Sequence, residues 1–334
     1  MTAQTDPPST PPSIVLVSCW MGPLPPYLTL FLGSCRANPS VSFLIPSDQP
    51  APPDLPPNVR WMPLTLDGFS TLASERLGVP VRVARGYKLC DFKPTLGRVF
   101  ADAIGDADFW GFCDIDLFWG DLRAFLTDEF LADGDLFSFR GPMWISGALG
   151  IARTQSAATR LFAQIPGWPE ILADDHIRGF DECAFRFDGV TRSVADLVAA
   201  GETVSLTDVA READAAGTLR LRFLDDLPEP SRHWAPYQFR WHRGTLTDHS
   251  DGVERIACHF VRAKSEPFFT VDRWDPLPDD FYVTPTGTTT IPPSARVRRL
   301  VRGTGRVTWG LPAAVRYYTA RGAHWLRSRR SRHA

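Results

Sequence analysis

The sequence predicts an α/β fold in which a mixed sheet is flanked by helices. Short apolar runs alternate with helix-like segments along most of the chain, and one such run ends in two aspartates spaced one residue apart. The chain has 334 residues, of which 44% are hydrophobic and 22% are charged. This length and composition allow a sizeable buried core.

The first predicted elements follow the order strand, helix, strand, strand, which opens a nucleotide-binding α/β sheet. Apolar runs predict the strands, and the spacing of Leu28, Phe31 and Leu32 along one side predicts the helix. A proline-rich loop at 50–57 separates the last two strands. The four elements are predicted at 14–18, 26–35, 41–45 and 59–64.

The middle of the chain continues the alternation of helices and strands. Helices are predicted there at 69–77, 95–103 and 155–164, and strands at 109–116, 136–139 and 147–152. The segment 180–185 is predicted to open one further helix. Residues 219–260 have the pattern of strands and loops, and a short strand at 255–260 carries His259 near its end.

Composition divides the chain into three parts. Residues 1–12 are polar and proline-rich and are predicted to form a disordered arm that is not a signal peptide. Residues 13–285 are predicted to form a single α/β domain, and 286–334 a basic, partly helical extension. From residue 296 onwards there are eleven arginines and no acidic residue. Because the whole chain has a net charge of −2, residues 1–295 carry a net charge of −13.

The six cysteines contain no CxxC pair and no tight spacing, and several lie inside apolar segments. Neither a zinc site nor a disulfide framework is therefore predicted. Buried free thiols are typical of a reducing compartment, which predicts a cytoplasmic protein. No run of about 18 apolar residues occurs, so no transmembrane helix is predicted.

The pair Asp114 and Asp116 is the strongest functional signal in the sequence. Side chains alternate along a strand, so the two carboxylates lie on the same side wherever the chain stays extended. Open α/β sheets bind ligands at the carboxyl ends of their strands. The two charges repel unless a divalent cation or hydrogen-bond donors compensate them. The pattern favours a metal-bridged diphosphate, and the structural alternative is a solvated strand end or a helix cap.

Further polar residues accompany this pair in a recognisable order. They are Asp48 at a strand end, Lys88-x-x-Asp91-x-Lys93-Pro94, Trp110-x-x-x-Asp114-x-Asp116, and His259-Phe260-x-x-x-Lys264. The set resembles bacterial glycosyltransferases of the GT-A fold, and more specifically a GT-A-like family from polysaccharide-biosynthesis gene clusters. The resemblance covers roughly residues 14–265.

The resemblance implies a GT-A-like sheet and the transfer of a sugar from a nucleotide-sugar donor to a glycan or lipid-linked acceptor. It also implies a bound Mn²⁺ or Mg²⁺ ion with Asp114, Asp116 and His259 as ligands. The donor-binding residues implied in the same way are Asp48, Lys88, Asp91, Lys93, Asp114 and Lys264.

Two carboxylates are candidates for the acceptor side. Asp181 and Glu182 are predicted as catalytic residues that deprotonate an acceptor hydroxyl or bind donor hydroxyls. The alternative is that they are favourable charges at a helix N-terminus. His259 has the alternative of a hydrogen-bonded histidine at a strand end, and Lys88 with Asp91 that of a surface ion pair.

Two other function classes stay open at this point. One is a non-catalytic nucleotide-sugar-binding or scaffold protein of a polysaccharide assembly pathway. The other is a metal-dependent nucleotidyl or phosphoryl transferase, against which the sequence has no glycine-rich phosphate loop.

The basic extension predicts a partner of its own. Arginines interleaved with tryptophan and tyrosine over 296–332 suit an anionic membrane surface. This predicts a peripheral protein at the inner face of the cell membrane. A solvated tail is the structural alternative, and nucleic acid is the least favoured partner because the body of the chain is acidic.

Overall fold

The computed structural model describes residues 11–228, 239–249, 251–265, 269–274, 276–284 and 287–292. Nearly all of the predicted arm and of the basic extension lies outside the described residues. The predictions of a disordered arm, a C-terminal helix and a membrane-binding surface therefore lie outside them too.

Strands run from the beginning to the end of the described chain. In chain order they are β1 Ile14–Val17, β2 Ser42–Ser47, β3 Val59–Pro63, β4 Phe109–Cys113, β5 Leu117–Trp119, β6 Leu136–Ser138, β7 Leu149–Arg153, β8 Leu221–Phe223, β9 Phe239–His242, β10 Thr245–Asp248, β11 Ala257–His259, β12 Asp280–Thr284 and β13 Gly287–Thr289.

Most helices are short. The α-helices are α1 Leu28–Arg36, α2 Leu66–Leu77, α3 Leu96–Val99, α4 Ala101–Ile104, α5 Leu122–Phe125, α6 Asp128–Ala132, α7 Trp168–Ala173, α8 Val194–Ala199 and α9 Leu206–Ala215. The 3-10 helices are Gly86–Thr95, Ala157–Gln164 and Ala263–Ser265.

Seven strands form a central mixed sheet in the order β3-β2-β1-β4-β7-β6-β8. Strands β1 to β4 are parallel to their neighbours within this group, whereas β7 is antiparallel to both β4 and β6. The predicted mixed α/β sheet flanked by helices is confirmed. Parallel β1, β2 and β4 end at one edge of the sheet, and this edge carries the candidate site.

The side chains of β4 show how the sheet is held. Phe109 and Cys113 belong to the buried cluster on one face, and Trp110 and Phe112 belong to the cluster on the other. This alternation makes both faces of the strand apolar. On one of them α3 lies so close that a Cβ atom at Gly97 would be 2.2 Å from the Trp110 ring. Only a glycine allows this approach of helix to sheet.

Two smaller sheets complete the described fold. Strand β11 pairs antiparallel with β5 directly after the end of β4, and β10, β9, β12 and β13 form a four-stranded sheet. The residues of β13, Gly287–Thr289, pair with β12 just beyond the domain end predicted at residue 285. The two-stranded ribbon matters most here because it carries His259 to the carboxyl end of β4.

Several predicted elements differ from the structure. The helix predicted at 95–103 is two short helices separated at Phe100. The helix predicted at 155–164 is a 3-10 helix, and strand β5 was not predicted. Among the helices described, none has the length and apolar character that crossing a bilayer demands.

Candidate functional site

The centre of the site is the short turn that joins β4 to β5. Asp114 and Asp116 flank the buried side chain of Ile115. The backbone N–H of Asp114 donates to the carbonyl of Ala148, the residue before β7, at 2.9 Å. Asp116 is buried, whereas 30% of the Asp114 side chain is exposed. The anchored ends of this turn fix where both carboxylates lie.

The ribbon of β5 and β11 brings His259 to these carboxylates. Its register pairs His259 with Leu117, the residue that follows Asp116. The backbone N–H of Phe260 donates to the carbonyl of Asp116 at 2.9 Å and closes the ribbon on that side. The strand that was not predicted is thus the element that assembles the predicted triad.

The three side chains converge on one point. The Nε2 atom of His259 lies 3.4 Å from Oδ1 of Asp116 and 3.7 Å from Oδ2 of Asp114. One ligand atom from each of the three residues lies within 4.8 Å of the other two. Asp114, Asp116 and His259 are therefore brought together as the sequence predicted.

Two lysines hold the outer oxygens of the same carboxylates. Lys93 Nζ lies 2.6 Å from Oδ1 of Asp114, and Lys264 Nζ lies 2.6 Å from Oδ2 of Asp116. Each carboxylate therefore gives one oxygen to a lysine and turns the other towards His259. The predicted lysines Lys93 and Lys264 both belong to the site.

This donor set fits a small divalent cation. Ligand atoms bound to one Mg²⁺ at about 2.1 Å lie about 3.0 Å apart when adjacent and about 4.2 Å apart when opposite. The distances from His259 to the two carboxylates lie between these values. Two carboxylate oxygens and one imidazole suit Mn²⁺ and are acceptable to Mg²⁺. Asp114, Asp116 and His259 would hold the ion.

The charges of the site stabilise one another. Burial opposes ionisation of Asp116, but the imidazole of His259 and the ammonium of Lys264 outweigh it, so the pKa of Asp116 lies below its usual range. Burial likewise disfavours the charged form of Lys93, yet Asp114 and the other acidic groups around it raise the pKa of Lys93 well above its ordinary value. The carboxylate of Asp116 and the ammonium of Lys93 are therefore the stable forms at neutral pH.

A contact at Gly147 links the triad to Asp181 and Glu182. Lys93 Nζ donates to the carbonyl of Gly147 at 2.7 Å, and the N–H of Gly147 donates to Oε1 of Glu182 at 2.7 Å. Asp181 Oδ2 lies 3.7 Å from Lys93 Nζ. A Cβ atom at residue 147 would lie 2.5 Å from that same Asp181 oxygen. Asp181 and Glu182 thus lie at the site, as predicted, and their roles stay a prediction.

Burial dominates the electrostatics of Asp181. It raises the pKa of Asp181 well above its ordinary value; Lys93 opposes the shift, and Glu182 adds to it. Glu182 is half-buried and so is more accessible than Asp181.

The helix predicted to open at 180–185 is wrong. The segment is a turn in which the N–H of Ala184 donates to the carbonyl of Gly179 at 2.8 Å. Ala184 and Phe185 have φ values of 49° and 60°, which no α-helix contains. The next described helices are α8 and α9, which were not predicted.

The structure contradicts the predicted donor contact of Lys88 and Asp91. Lys88 is fully buried, and its Nζ donates to Asp91 at 2.8 Å and to two carbonyls, those of Ile171 at 2.8 Å and His176 at 2.7 Å. All three ammonium protons are therefore used. Asp91 accepts from the backbone N–H groups of Arg178 and Phe180. The pair fixes the chain around residues 171–180 and has no proton left for a diphosphate.

Asp48 lies at the edge of the sheet where β2 ends. It is exposed, and its Oδ1 accepts from the N–H of Gly22 at 2.9 Å. This bond ties the loop after β2 to the loop after β1, and both loops end at the same edge as β4. A contact of Asp48 with a nucleoside stays a prediction.

Two tyrosines beside the triad were not predicted. Burial and the charges of Asp116 and Asp114 raise the pKa of Tyr27, whose ring centre is 6.0 Å from Lys264 Nζ. Tyr87 is 73% exposed and lies close enough to Asp114 for that charge to add to the effect of burial on its pKa. The signal for Tyr87 was its position directly before Lys88, where the singled-out segment 88–94 begins. Tyr27 stood at the start of a predicted helix and gave no signal.

Comparisons with known proteins give one family and structural likenesses that include two structures of LgtC. Among curated proteins, none matches this sequence. A crystal structure of the galactosyltransferase LgtC in complex with donor and acceptor sugar analogues is similar at 11% identity and a TM-score of 0.38, over 77% of this chain and 88% of that one. A structure of an active-site mutant of LgtC is similar at 10% identity and a TM-score of 0.32, over 66% and 76%. Likenesses at this level do not establish an activity.

The family is clear from the sequence. The model of a family of unknown function, DUF6625, matches residues 16–290. This match covers most of the chain and includes every residue of the candidate site. The chain therefore belongs to the DUF6625 family.

Proposed function

We propose that this member of the DUF6625 family is a metal-dependent glycosyltransferase that moves a sugar from a nucleotide-sugar donor to a glycan or lipid-linked acceptor. The observation that carries the proposal is the division of the carboxylate oxygens. Asp114 and Asp116 each give one oxygen to a lysine and turn the other towards Nε2 of His259. The arrangement combines a set of metal ligands with two cations at the carboxyl edge of a parallel sheet.

Charge balance supports a diphosphate as the ligand. Two carboxylates and two ammonium groups cancel, so a divalent cation would give the centre a charge of about +2. The diphosphate of a nucleotide-sugar is the complementary anion. When bound, the cation neutralises the charge that develops on the departing nucleoside diphosphate.

The two lysines would contribute in different ways. About 32% of the Lys264 side chain is exposed, so its ammonium can reach a diphosphate oxygen directly. Lys93 is more enclosed and already binds Asp114 and the carbonyl of Gly147. It adds positive charge to the donor pocket and holds Asp114 in place. Asp48 would contact the nucleoside from the adjacent strand end.

Glu182 is the better placed base for the acceptor. Its carboxylate is half-buried and is held by the N–H of Gly147, whereas Asp181 is buried beside Lys93. In the proposed reaction the acceptor oxygen forms a bond to the anomeric carbon, and the bond from that carbon to the diphosphate oxygen breaks. The proton of the acceptor hydroxyl passes to Glu182.

A thermal-shift screen tests the binding part of this proposal. The protein is heated with each nucleoside diphosphate and nucleotide-sugar, with and without Mn²⁺. A ligand at about 100 times its dissociation constant stabilises a fold by about 2.7 kcal/mol, which is readily measured. We expect a shift that requires both the metal and one nucleotide. Absence of any shift in folded protein contradicts the proposal.

Product analysis of the donor identified in the screen tests the chemical part. When no acceptor is present, hydrolysis of the donor in isotopically labelled water places the label on the sugar if the carbon–oxygen bond breaks and on phosphate if a phosphorus–oxygen bond breaks. Label on the sugar supports a glycosyltransferase. Label on phosphate indicates a phosphoryl or nucleotidyl transferase, and binding without turnover with any acceptor indicates a non-catalytic nucleotide-sugar-binding protein.

A further inference from the structure

Exposed apolar side chains are concentrated beside the candidate site. Eight large hydrophobic residues are exposed in the part of the chain that the structure describes. Four of them lie on two adjacent loops, the first at residue 143 and the second at residues 185–190. We call these four the apolar ridge: Met143, Phe185, Phe187 and Val190. About half or more of each is exposed, which is an unusual concentration for a surface where single exposed hydrophobic residues are normal.

The ridge is a continuous and fixed surface. The Phe187 ring packs edge-on against Trp144 with ring centres 5.4 Å apart, and the Phe185 ring centre is 6.5 Å from that of Phe187. Met143 lies against Gly189, where a Cβ atom would be 3.4 Å from the methionine sulfur. Arg211 donates to the carbonyl of Met143 at 2.8 Å.

The second loop is held from the same side. Arg211 also donates to the hydroxyl of Thr191 and so joins the two loops. Arg186, between the two ridge phenylalanines, donates to the carbonyl of Thr203 at 2.6 Å and pairs with Asp208. Both loops are therefore tied to the body of the protein by arginines, and the apolar side chains remain on the outside.

The backbone of the ridge is strained where Phe185 leaves the core. Ala184 and Phe185 both have positive φ values, a conformation that is uncommon for residues with a side chain. The strain directs the Phe185 ring outwards, where more than half of it is exposed.

Both ridge loops adjoin the contact between Gly147 and Glu182. Phe185 lies three residues after Glu182, and Met143 lies four residues before Gly147. Three peptide links span at most about 11 Å between Cα atoms. The Cα atom of Phe185 therefore lies within about 11 Å of the Cα atom of Glu182, the proposed base.

We propose that the apolar ridge binds a hydrocarbon chain carried by the acceptor, so that the acceptor is lipid-linked. This inference rests on the proposed function, because the ridge adjoins Glu182, which is the proposed base for the acceptor hydroxyl. It selects one of the two acceptor classes and places its apolar part on Phe185, Phe187, Met143 and Val190.

The chemistry of the ridge favours a hydrocarbon over a free glycan. The four exposed side chains carry no N–H or O–H group, and sugar recognition requires such groups as well as apolar contact. Trp144, which has an indole N–H, is buried beneath Phe187. Methionine and phenylalanine side chains adapt to a flexible alkyl or prenyl chain.

Chain-length dependence of binding tests this inference. Glucose and hexyl, heptyl, octyl and nonyl glucoside are titrated calorimetrically into the protein below their micelle concentrations. Burial of each added methylene contributes about 0.8 kcal/mol, so affinity should rise about fourfold per methylene in the wild type. The variant Phe185→Ser/Phe187→Ser should lose this dependence. The matched control Val253→Ser/Ile291→Ser changes two exposed hydrophobic residues outside the ridge and should keep it.

Three results would overturn the inference. They are binding that does not depend on chain length in the wild type, an equal loss in both double variants, and a wild-type dimer that only the ridge variant dissociates. The metal-dependent thermal shift with nucleotide is measured on the same samples. If that shift persists while chain-length dependence is absent, only the ridge assignment fails. If the shift is absent while chain-length dependence persists, the proposed function fails.

Discussion

Two lysine–carboxylate pairs start from the same 3-10 helix and have opposite characters. Lys88 and Asp91 are buried, and each uses its polar atoms on the protein itself. Lys93 lies five residues after Lys88 and pairs with Asp114 at the end of β4. Asp114 keeps one oxygen turned towards His259, and 30% of its side chain is exposed. The same chemical groups therefore fix the fold in one place and form a candidate ligand site in the other.

Helix geometry explains why the two pairs diverge. In a 3-10 helix residues three apart lie above one another, so Lys88 and Asp91 point in the same direction, and Lys93 points in another. The first direction leads to the segment 171–180, and the second leads to the end of β4. The number of protons already donated, and not the residue type, separates a structural lysine from one that can serve a ligand.

The largest expected effect is on stability. Lys88→Met leaves Asp91 as an unpaired buried charge and should lower the free energy of unfolding by about 3–5 kcal/mol. Lys264→Met is the matched substitution at a pair whose lysine is partly exposed, and it should cost less, because His259 remains beside the buried carboxylate of Asp116. Urea unfolding of both variants measures the difference. Equal losses would show that the two pairs do not differ in the way described.

The next effect concerns ligand binding. Asp116→Asn should remove the metal-dependent stabilisation by nucleotide, which is about 2.7 kcal/mol at a ligand concentration of about 100 dissociation constants. The exposed Asp106→Asn is the control and should retain it. Thermal shifts with and without Mn²⁺ measure both. If Asp116→Asn retained the shift, Asp116 would not be a metal ligand.

A smaller effect is expected at Gly147, which joins the pair of Lys93 and Asp114 to Glu182. Gly147→Ala places a methyl group 2.5 Å from Asp181 Oδ2 and should cost about 1–3 kcal/mol through overpacking. It should also reduce sugar transfer, because Glu182 must move. Gly68→Ala in α2 is the control and should cost much less, since alanine favours helices and its Cβ would come no closer than 3.1 Å to any atom, that of the Leu64 side chain. Unfolding and transfer assays that show no difference between the two variants would argue against a tight Gly147 contact.

The smallest effect is expected at Asp48. The hydrogen bond from the N–H of Gly22 holds the pKa of this exposed carboxyl below its ordinary value of 3.8. A lowered pKa means that the carboxylate stabilises the fold above pH 3.8 and that this contribution is lost as the pH falls through the folded-state pKa. The stability difference between wild type and Asp48→Asn should therefore shrink on acidification. A difference that stays constant with pH would contradict this.

Much of the site was predictable because it lies at strand ends. The apolar run before Asp114 and Asp116 and the short strand that carries His259 were predicted from the sequence pattern, and the resemblance implied that these three residues meet. Their convergence depends on β5, whose three residues are too few to give a periodic signal and whose partner is distant in sequence. The ribbon was therefore not predicted although the residues it joins were.

Burial was the property that the sequence could not supply. The resemblance placed Lys88, Asp91 and Lys93 in one group of donor-binding residues, but it does not show which side of the segment is covered. The turn at Ala184 and Phe185 was also missed, because neither residue type favours a left-handed conformation. The hydrogen bonds from Ala184 to Gly179 and from Gly147 to Glu182 hold this turn in its left-handed conformation.

Binding of Mn²⁺ itself tests the central assignment most directly. The free ion is followed by electron paramagnetic resonance during titration into the wild type, His259→Gln and the control His242→Gln, whose histidine is half-exposed and lies beside Asp280. We expect one Mn²⁺ per chain, bound more tightly in the presence of the nucleotide that shifts the melting temperature. Binding should be retained in His242→Gln and lost or much weakened in His259→Gln. Equal binding by both variants, or no binding by the wild type, would contradict it.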